Sequence, residues 1–299
     1  MTYEEPVYTD EPPFWTFPPE ILDLLLEPGT PLKGTGDATA LGTGIIPILG
    51  TARAGKTTLA YGMVDHVVRY TKRPVFFGDF PEAVIERALP DHWRGRVNAQ
   101  PIEDMWKADP STSPVWVLDD SAIHLNARDS ATSGSKALAR LSGVLSHLGA
   151  TLIFTTQSLA GVDLSLWRFT EVVSCIRYMN TAGLRGERDK WVRDVVHSQH
   201  LLRSTHYAHG IPSRRLRSFY VVLSDNNTQE PFRVVPYVRP DWLFNADPVT
   251  ADMLSRPFKF LSMEEREAAI MRPSKGGAKR RSSRKGEPKT PHVKGERPE

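Results

Sequence analysis

Residues Gly50 to Thr57 read GTARAGKT, a G-x-x-x-x-G-K-T motif. Its two glycines let the backbone wrap a phosphate so closely that peptide N–H groups donate to it. A helix starting directly afterwards adds the positive end of its dipole. Lys56 then neutralises β- and γ-phosphates, and the Thr57 hydroxyl is a magnesium ligand. Gly50, Thr51, Ala52, Arg53, Ala54, Gly55, Lys56, Thr57 and Thr58 are therefore the expected contacts for ATP and Mg2+. Downstream, VWVLDD (115–120) ends an apolar run in two carboxylates. Asp119 is placed to hold the metal through water, and Asp120 to orient or deprotonate an attacking water. Aspartate is one methylene shorter than the glutamate often found in that second role, so Asp120 should sit slightly farther back or the backbone must compensate. A third apolar run, TLIFTTQ (151–157), ends in Thr155, Thr156 and Gln157, and Gln157 could reach the γ-phosphate or the water. No N-K-x-D base-reading motif of GTP switches is present.

These stations need elements to carry them. IIPIL (45–49), PVFFGD (74–79), VWVLDD (115–120), TLIFTTQ (151–157), EVVSCIRYM (171–179) and FYVVLS (219–224) read as strands. Helical patterns cover 55–70, 81–89, 135–149 and 187–202. Strands that are apolar throughout, not alternating, indicate burial on both faces, as in a parallel sheet covered by helices. The expected fold is α/β, with a mostly parallel central sheet flanked by helices. The domain occupies residues 41–245. Before it lies a Pro/Gly-rich extension, 1–40, whose PPEILDLLLEPG forms a short helix with Ile21, Leu22 and Leu25 inward and Leu24 a further candidate. An extension at 246–271 and a tail at 272–299 follow.

With 299 residues, 40% hydrophobic and 24% charged, the composition is that of a soluble globular protein. A single cysteine, Cys175, excludes an intrachain disulfide and a Cys-based zinc site and fits a reducing compartment. Six histidines (124, 147, 197, 200, 206 and 209) form no H-E-x-x-H, so zinc is not expected. The acidic start has no signal-peptide pattern, and no apolar run is long enough to span a bilayer. The expected location is cytoplasmic. Residues 272–299 hold ten Lys/Arg against three Glu, +7, which leaves −4 for residues 1–271 of the chain's net +3. That tail is either a solubilising terminus or an arm for phosphate backbones. SRRLRS (213–218) is likewise either a solvated loop or a DNA-backbone contact.

GTARAGKT, VWVLDD and FTTQS, with the helix ALARLSGVLSHLGA between the last two, resemble the FtsK–HerA superfamily of DNA-pumping P-loop ATPases. The resemblance covers about residues 45–180 and implies an ASCE/RecA-like P-loop NTPase fold. The compact core is most like the genome-packaging ATPases of membrane-containing icosahedral viruses and phages. It implies a motor that translocates double-stranded DNA as a homo-oligomeric ring, with a hexamer favoured. It also implies docking to a capsid vertex, a portal or membrane-associated virion proteins, in the host cytoplasm or at the packaging vertex. By resemblance Arg140 is the arginine finger that reaches a neighbouring subunit's nucleotide. The second basic residue common before the helix-ending Gly149 is replaced by Ser146 and His147, so Arg168 and Arg177 remain rivals. Arg53, inside the loop, is a cis-acting candidate or a solvent-facing arginine. Two alternatives are a Zot-like phage-extrusion ATPase, which usually carries a membrane segment after its ATPase domain, and a non-motor nucleotide kinase or switch.

Overall fold

A computed structural model describes residues 17–26, 43–78, 80–119, 145, 147–158, 171–179, 190, 192–194, 197, 219–224, 232–236 and 240–255. Helix α1 (Pro19–Leu26) precedes strand β1 (Gly44–Leu49), helix α2 (Lys56–Tyr70), β2 (Val75–Gly78) and α3 (Glu82–Ala88). Strands β3 (Val97–Gln100), β4 (Val115–Leu118), β5 (Thr151–Thr156), β6 (Glu171–Ile176), β7 (Phe219–Ser224) and β8 (Phe232–Pro236) follow, then helices α4 (Asp241–Phe244) and α5 (Pro248–Ser255). The eight strands form one sheet in the order β3-β2-β4-β5-β1-β6-β7-β8. Strands β1 to β6 pair in parallel, while β7 and β8 run antiparallel at one end. The α/β expectation holds. Among the described residues no helix is long and apolar enough to cross a membrane.

Burial explains the strands. Every residue of β1, β4 and β5 is buried. Alternate side chains go to opposite faces, as a pleated strand requires. Ile46, Ile48, Val115, Val117 and Ile153 join one cluster with α1, α2 and α3, whereas Ile45, Trp116, Leu118, Leu152 and Phe154 join another with Leu145 and Leu148. Burying each such Ile, Leu or Val fully contributes about 1.5–3 kcal/mol. Pro47 sits in central β1 yet has no N–H to donate. The β1–β6 ladder accordingly pairs Gly44 and Ile45, then resumes at Ile48 and Leu49.

Strands β3 and β8 were not expected from the sequence. In β3 (VNAQ) only Val97 is fully buried, so no apolar run announces it. The short β8 (FRVVP) leaves Val234 exposed and Val235 buried at the sheet edge. In α1 the buried set is Ile21, Leu24 and Leu25, with Leu22 packed at the margin of the core. The helices on either side of the 41–245 segment share its core, since Phe17, Leu24, Leu25, Met253 and Leu254 all enter the α2-side cluster. The Tyr61 hydroxyl also donates to the Leu254 carbonyl at 3.1 Å.

One buried arginine ties α1 down. Arg73 is 3% exposed; its Nη1 donates to the carbonyls of Leu24 (2.7 Å) and Leu25 (3.1 Å) at the C-terminal end of α1. Its Nε donates to the Ser113 carbonyl at 2.6 Å, and Nη2 to Thr151 Oγ1 at 2.8 Å. A cation at a helix C-terminus also complements the macrodipole. Burial lowers its pKa to about 10, which leaves it charged at neutral pH.

On α2, Asp65 gathers three donors: His92 Nε2 at 2.6 Å, Trp93 Nε1 at 2.9 Å and Arg69 Nε at 2.7 Å. Burial raises its carboxyl, but these hydrogen bonds and the Arg69 charge outweigh burial and hold it below the usual carboxylate range. The adjacent His66 packs edge-on to Phe17 at 4.8 Å, and burial pushes its imidazole below 6.5. Both groups bind fewer protons folded than unfolded, so both favour the folded state at higher pH. Stability should therefore fall in two steps on acidification. The first starts below about pH 6.5 as His66 must charge, and the second below about pH 4 as Asp65 protonates. Melting temperature against pH checks this: His66→Leu should flatten the upper step and Asp65→Asn the lower.

Candidate functional site

The site lies where parallel strands end. In register, Ile48 of β1 is level with Thr155 of β5, and Phe154 with Leu118 of β4. The loop after β1, the polar end of β5 and the carboxylate after β4 therefore meet at one edge. The loop leaves β1 with Gly50 N–H donating to the Thr156 carbonyl at 3.2 Å, and closes on itself through Ala54 N–H to the Thr51 carbonyl at 3.1 Å. Gly55 adopts φ 84°, a left-handed conformation open to glycine at little cost. It is the N-cap of α2 and supplies no side-chain cap. Glycine thus puts no side chain of its own between the first turn of this 15-residue helix and an incoming anion. Lys56 Nζ reaches back over the loop to the Thr51 carbonyl at 3.1 Å. Thr51 and Thr58 are partly buried, whereas Ala52 and Arg53 stand exposed at the apex, Arg53 with φ 62°.

Thr57 and Asp119 come together. The Thr57 hydroxyl lies 2.9 and 3.0 Å from the two Asp119 carboxylate oxygens. Thr155 Oγ1 donates to Asp119 Oδ1 at 2.7 Å, so the carboxylate is held from the neighbouring strand as well as from the helix. A hydroxyl and a carboxylate in mutual reach beside a lysine are the hard oxygen donors that magnesium takes, so these residues fit Mg2+ with a polyphosphate. The Asp119 charge is also felt below the site: burial first, then this carboxylate, push the Tyr61 phenol well above its ordinary pKa.

Gln157 is exposed just beyond the end of β5, on the same sheet edge as Thr155. Asp120, Arg140, Arg168 and the 213–218 arginines lie outside the described residues. Arg177 is not where a trans finger must be. It is 3% exposed and packed behind its own chain's phosphate loop, with Nε on the Ala54 carbonyl at 3.0 Å. Sequence reasoning gave no role to Thr155 as holder of Asp119, and none to the carbonyl of Tyr178, which accepts from Thr51 N at 3.0 Å and Thr51 Oγ1 at 3.3 Å. The polar ending of an otherwise apolar strand was the signal available for Thr155; a backbone carbonyl leaves none.

No protein-family model matches the chain, and no curated protein matches it. Among solved structures, the genome packaging NTPase B204 from Sulfolobus turreted icosahedral virus 2 in complex with AMP is similar over 66% of this chain and 98% of its own, at 13% identity and TM-score 0.43. EssC (ATPases 2 and 3) from Geobacillus thermodenitrificans is similar over 75% of this chain and 44% of its own, at 13% identity and TM-score 0.44. The cytoplasmic domain of the Thermomonospora curvata type VII secretion ATPase EccC is similar over 82% of this chain and 32% of its own, at 13% identity and TM-score 0.46. What classifies the chain is its own topology: β5 lies between the loop-bearing β1 and the carboxylate-bearing β4. That is the ASCE/RecA-like order of a P-loop NTPase fold.

Proposed function

We propose that this chain hydrolyses ATP and uses the energy to translocate double-stranded DNA, as one subunit of a homo-oligomeric ring of the FtsK–HerA kind. Its most concrete role is a viral genome-packaging motor in the host cytoplasm, docked at a capsid vertex. The observation that supports hydrolysis most is the Thr57 hydroxyl at 2.9 and 3.0 Å from the Asp119 carboxylate, next in sequence to Lys56. When bound, Mg2+ would supply charge neutralisation on the polyphosphate. Thr57 and Asp119 would hold it, while Thr155 keeps the Asp119 carboxylate aimed. Lys56 and the Gly50–Thr58 backbone bind the phosphates. Asp120 takes the proton of the attacking water, and Gln157 orients that water from the end of β5. Arg140 of one subunit completes its neighbour's site by stabilising charge on the transferring phosphoryl group. DNA specificity rests on the motif resemblance in residues 45–180, with residues 41–245 as the motor domain.

Phosphate release should rise on adding double-stranded DNA and vary steeply with protein concentration, because each site is completed by a neighbour. Mixing Arg140→Ala with wild type should depress activity more than in proportion to its fraction. Activity indifferent to DNA and to concentration would overturn the ring-motor reading, and linear dilution would remove Arg140 as a trans finger.

A further inference from the structure

We propose, on the ATP-binding reading above, that Arg177 is a positioning residue for the phosphate loop and sets its affinity for polyphosphate from within the same subunit. The segment leaving β6 grips the loop at three points. Arg177 N–H donates to the Leu49 carbonyl at 2.7 Å, where the loop begins. The Tyr178 carbonyl accepts from Thr51 N–H at 3.0 Å. The Arg177 Nε donates to the Ala54 carbonyl at 3.0 Å, just before the turn into α2.

The motif glycines make room for this side chain. A Cβ on Gly50 would stand 3.0 Å from Arg177 Cβ, and one on Gly55 would stand 3.1 Å from Arg177 Nη2. Gly50 thus presents bare backbone to the base of the Arg177 side chain and Gly55 to its guanidinium, as the motif requires both to do for phosphate on the other side. The fork that holds Ala54 is planar and always charged, and it is 3% exposed.

Its charge has a consequence besides shape. The guanidinium lies beside Gly55 at the N-terminus of α2, where the helix dipole is already positive. A polyphosphate at this helix start meets the positive end of the dipole with the guanidinium charge behind it, which favours the bound anion. Arg177 follows β6, which β1 separates from β5 and β4, so its effect is expected on binding and not on the chemical step.

The test compares Arg177→Met, which keeps much of the stem volume, with Arg177→Lys, which keeps the charge but loses the fork. Phosphate release gives KM and kcat for ATP, and thermal protection by ATP and by inorganic tripolyphosphate is measured alongside. Arg177→Met should raise KM about tenfold, the scale of one charge-assisted hydrogen bond, with kcat unchanged. Tripolyphosphate protection should shrink in Arg177→Met and be partly restored in Arg177→Lys. Wild-type KM and wild-type protection in a folded Arg177→Met would overturn the proposal, and so would a fall in kcat at constant KM. Should Arg177→Met not fold, Arg177→Lys decides: a raised KM supports the role and an unchanged KM refutes it. If the wild-type chain neither hydrolyses ATP nor is protected by tripolyphosphate, the ATPase reading itself fails. Wild-type hydrolysis with insensitive Arg177 variants fails the inference alone.

Discussion

Asp119→Asn should reduce Mg2+-dependent ATP turnover about 100-fold, the upper range for losing an outer-shell metal partner, while the protein stays folded. The substitution is isosteric, and the asparagine carbonyl can still accept from the Thr155 hydroxyl, which now donates at 2.7 Å. Thr57, at 2.9 and 3.0 Å from the two carboxylate oxygens, can accept from the new amide as readily as it donated. What disappears is the negative charge proposed to hold the metal. Phosphate release at saturating ATP, followed across a Mg2+ titration, should show a lower plateau and a midpoint at higher Mg2+. A variant with wild-type turnover and wild-type Mg2+ dependence would show that Asp119 does not serve the metal. Removing this charge also takes away one of the two causes that raise the Tyr61 phenol, leaving burial alone.

The largest stability effect is expected at Arg73. Arg73→Met keeps the aliphatic stem but strips the donors from the carbonyls of Leu24, Leu25 and Ser113 and from Thr151 Oγ1. Each buried acceptor left without its donor costs free energy, and the expected total is about 4 kcal/mol. Thr151 Oγ1 keeps its own bond to the Leu24 carbonyl at 2.7 Å, which limits the loss. Urea unfolding should show a lower midpoint with an unchanged slope, and α1 should become cleavable by protease before the sheet does. A loss below about 1 kcal/mol would place Arg73 among ordinary surface-like changes and refute its anchoring role.

Much of the fold was legible because its signals are local. Ile45 to Leu49, Val115 to Leu118 and Thr151 to Thr156 are unbroken runs whose burial on both faces follows from composition. Helix α2 was legible from its pattern and the Gly55–Lys56 start. Strand β3 was not, since Asn98 and Gln100 dilute its only fully buried residue, Val97, and its place is decided by pairing with β2. Leu24 enters the core ahead of Leu22 because Ile21, Leu24 and Leu25 stand at i, i+3 and i+4 on one face of the helix, while Leu22 lies to its side.

The phosphate site divides in the same way. From Gly50 to Thr58 every residue is a near neighbour in the chain, so glycine spacing, the lysine and the helix start together point to a phosphate loop without reference to anything distant. The sequence by itself also marked Asp119 and the polar end of β5 as strand-end groups. Only the tertiary structure decided that they meet, because that depends on strand order. Thr57 reaches Asp119 across 62 residues of chain, and Thr155 reaches it across 36, only because β5 is inserted between β1 and β4. Arg177 is the sharpest case. Read along the chain it was one of several arginines that could serve a neighbouring subunit. The pairing of β6 with β1 turns it inward onto Ala54, 123 residues earlier, where its charge and its planar fork act on the loop of its own chain.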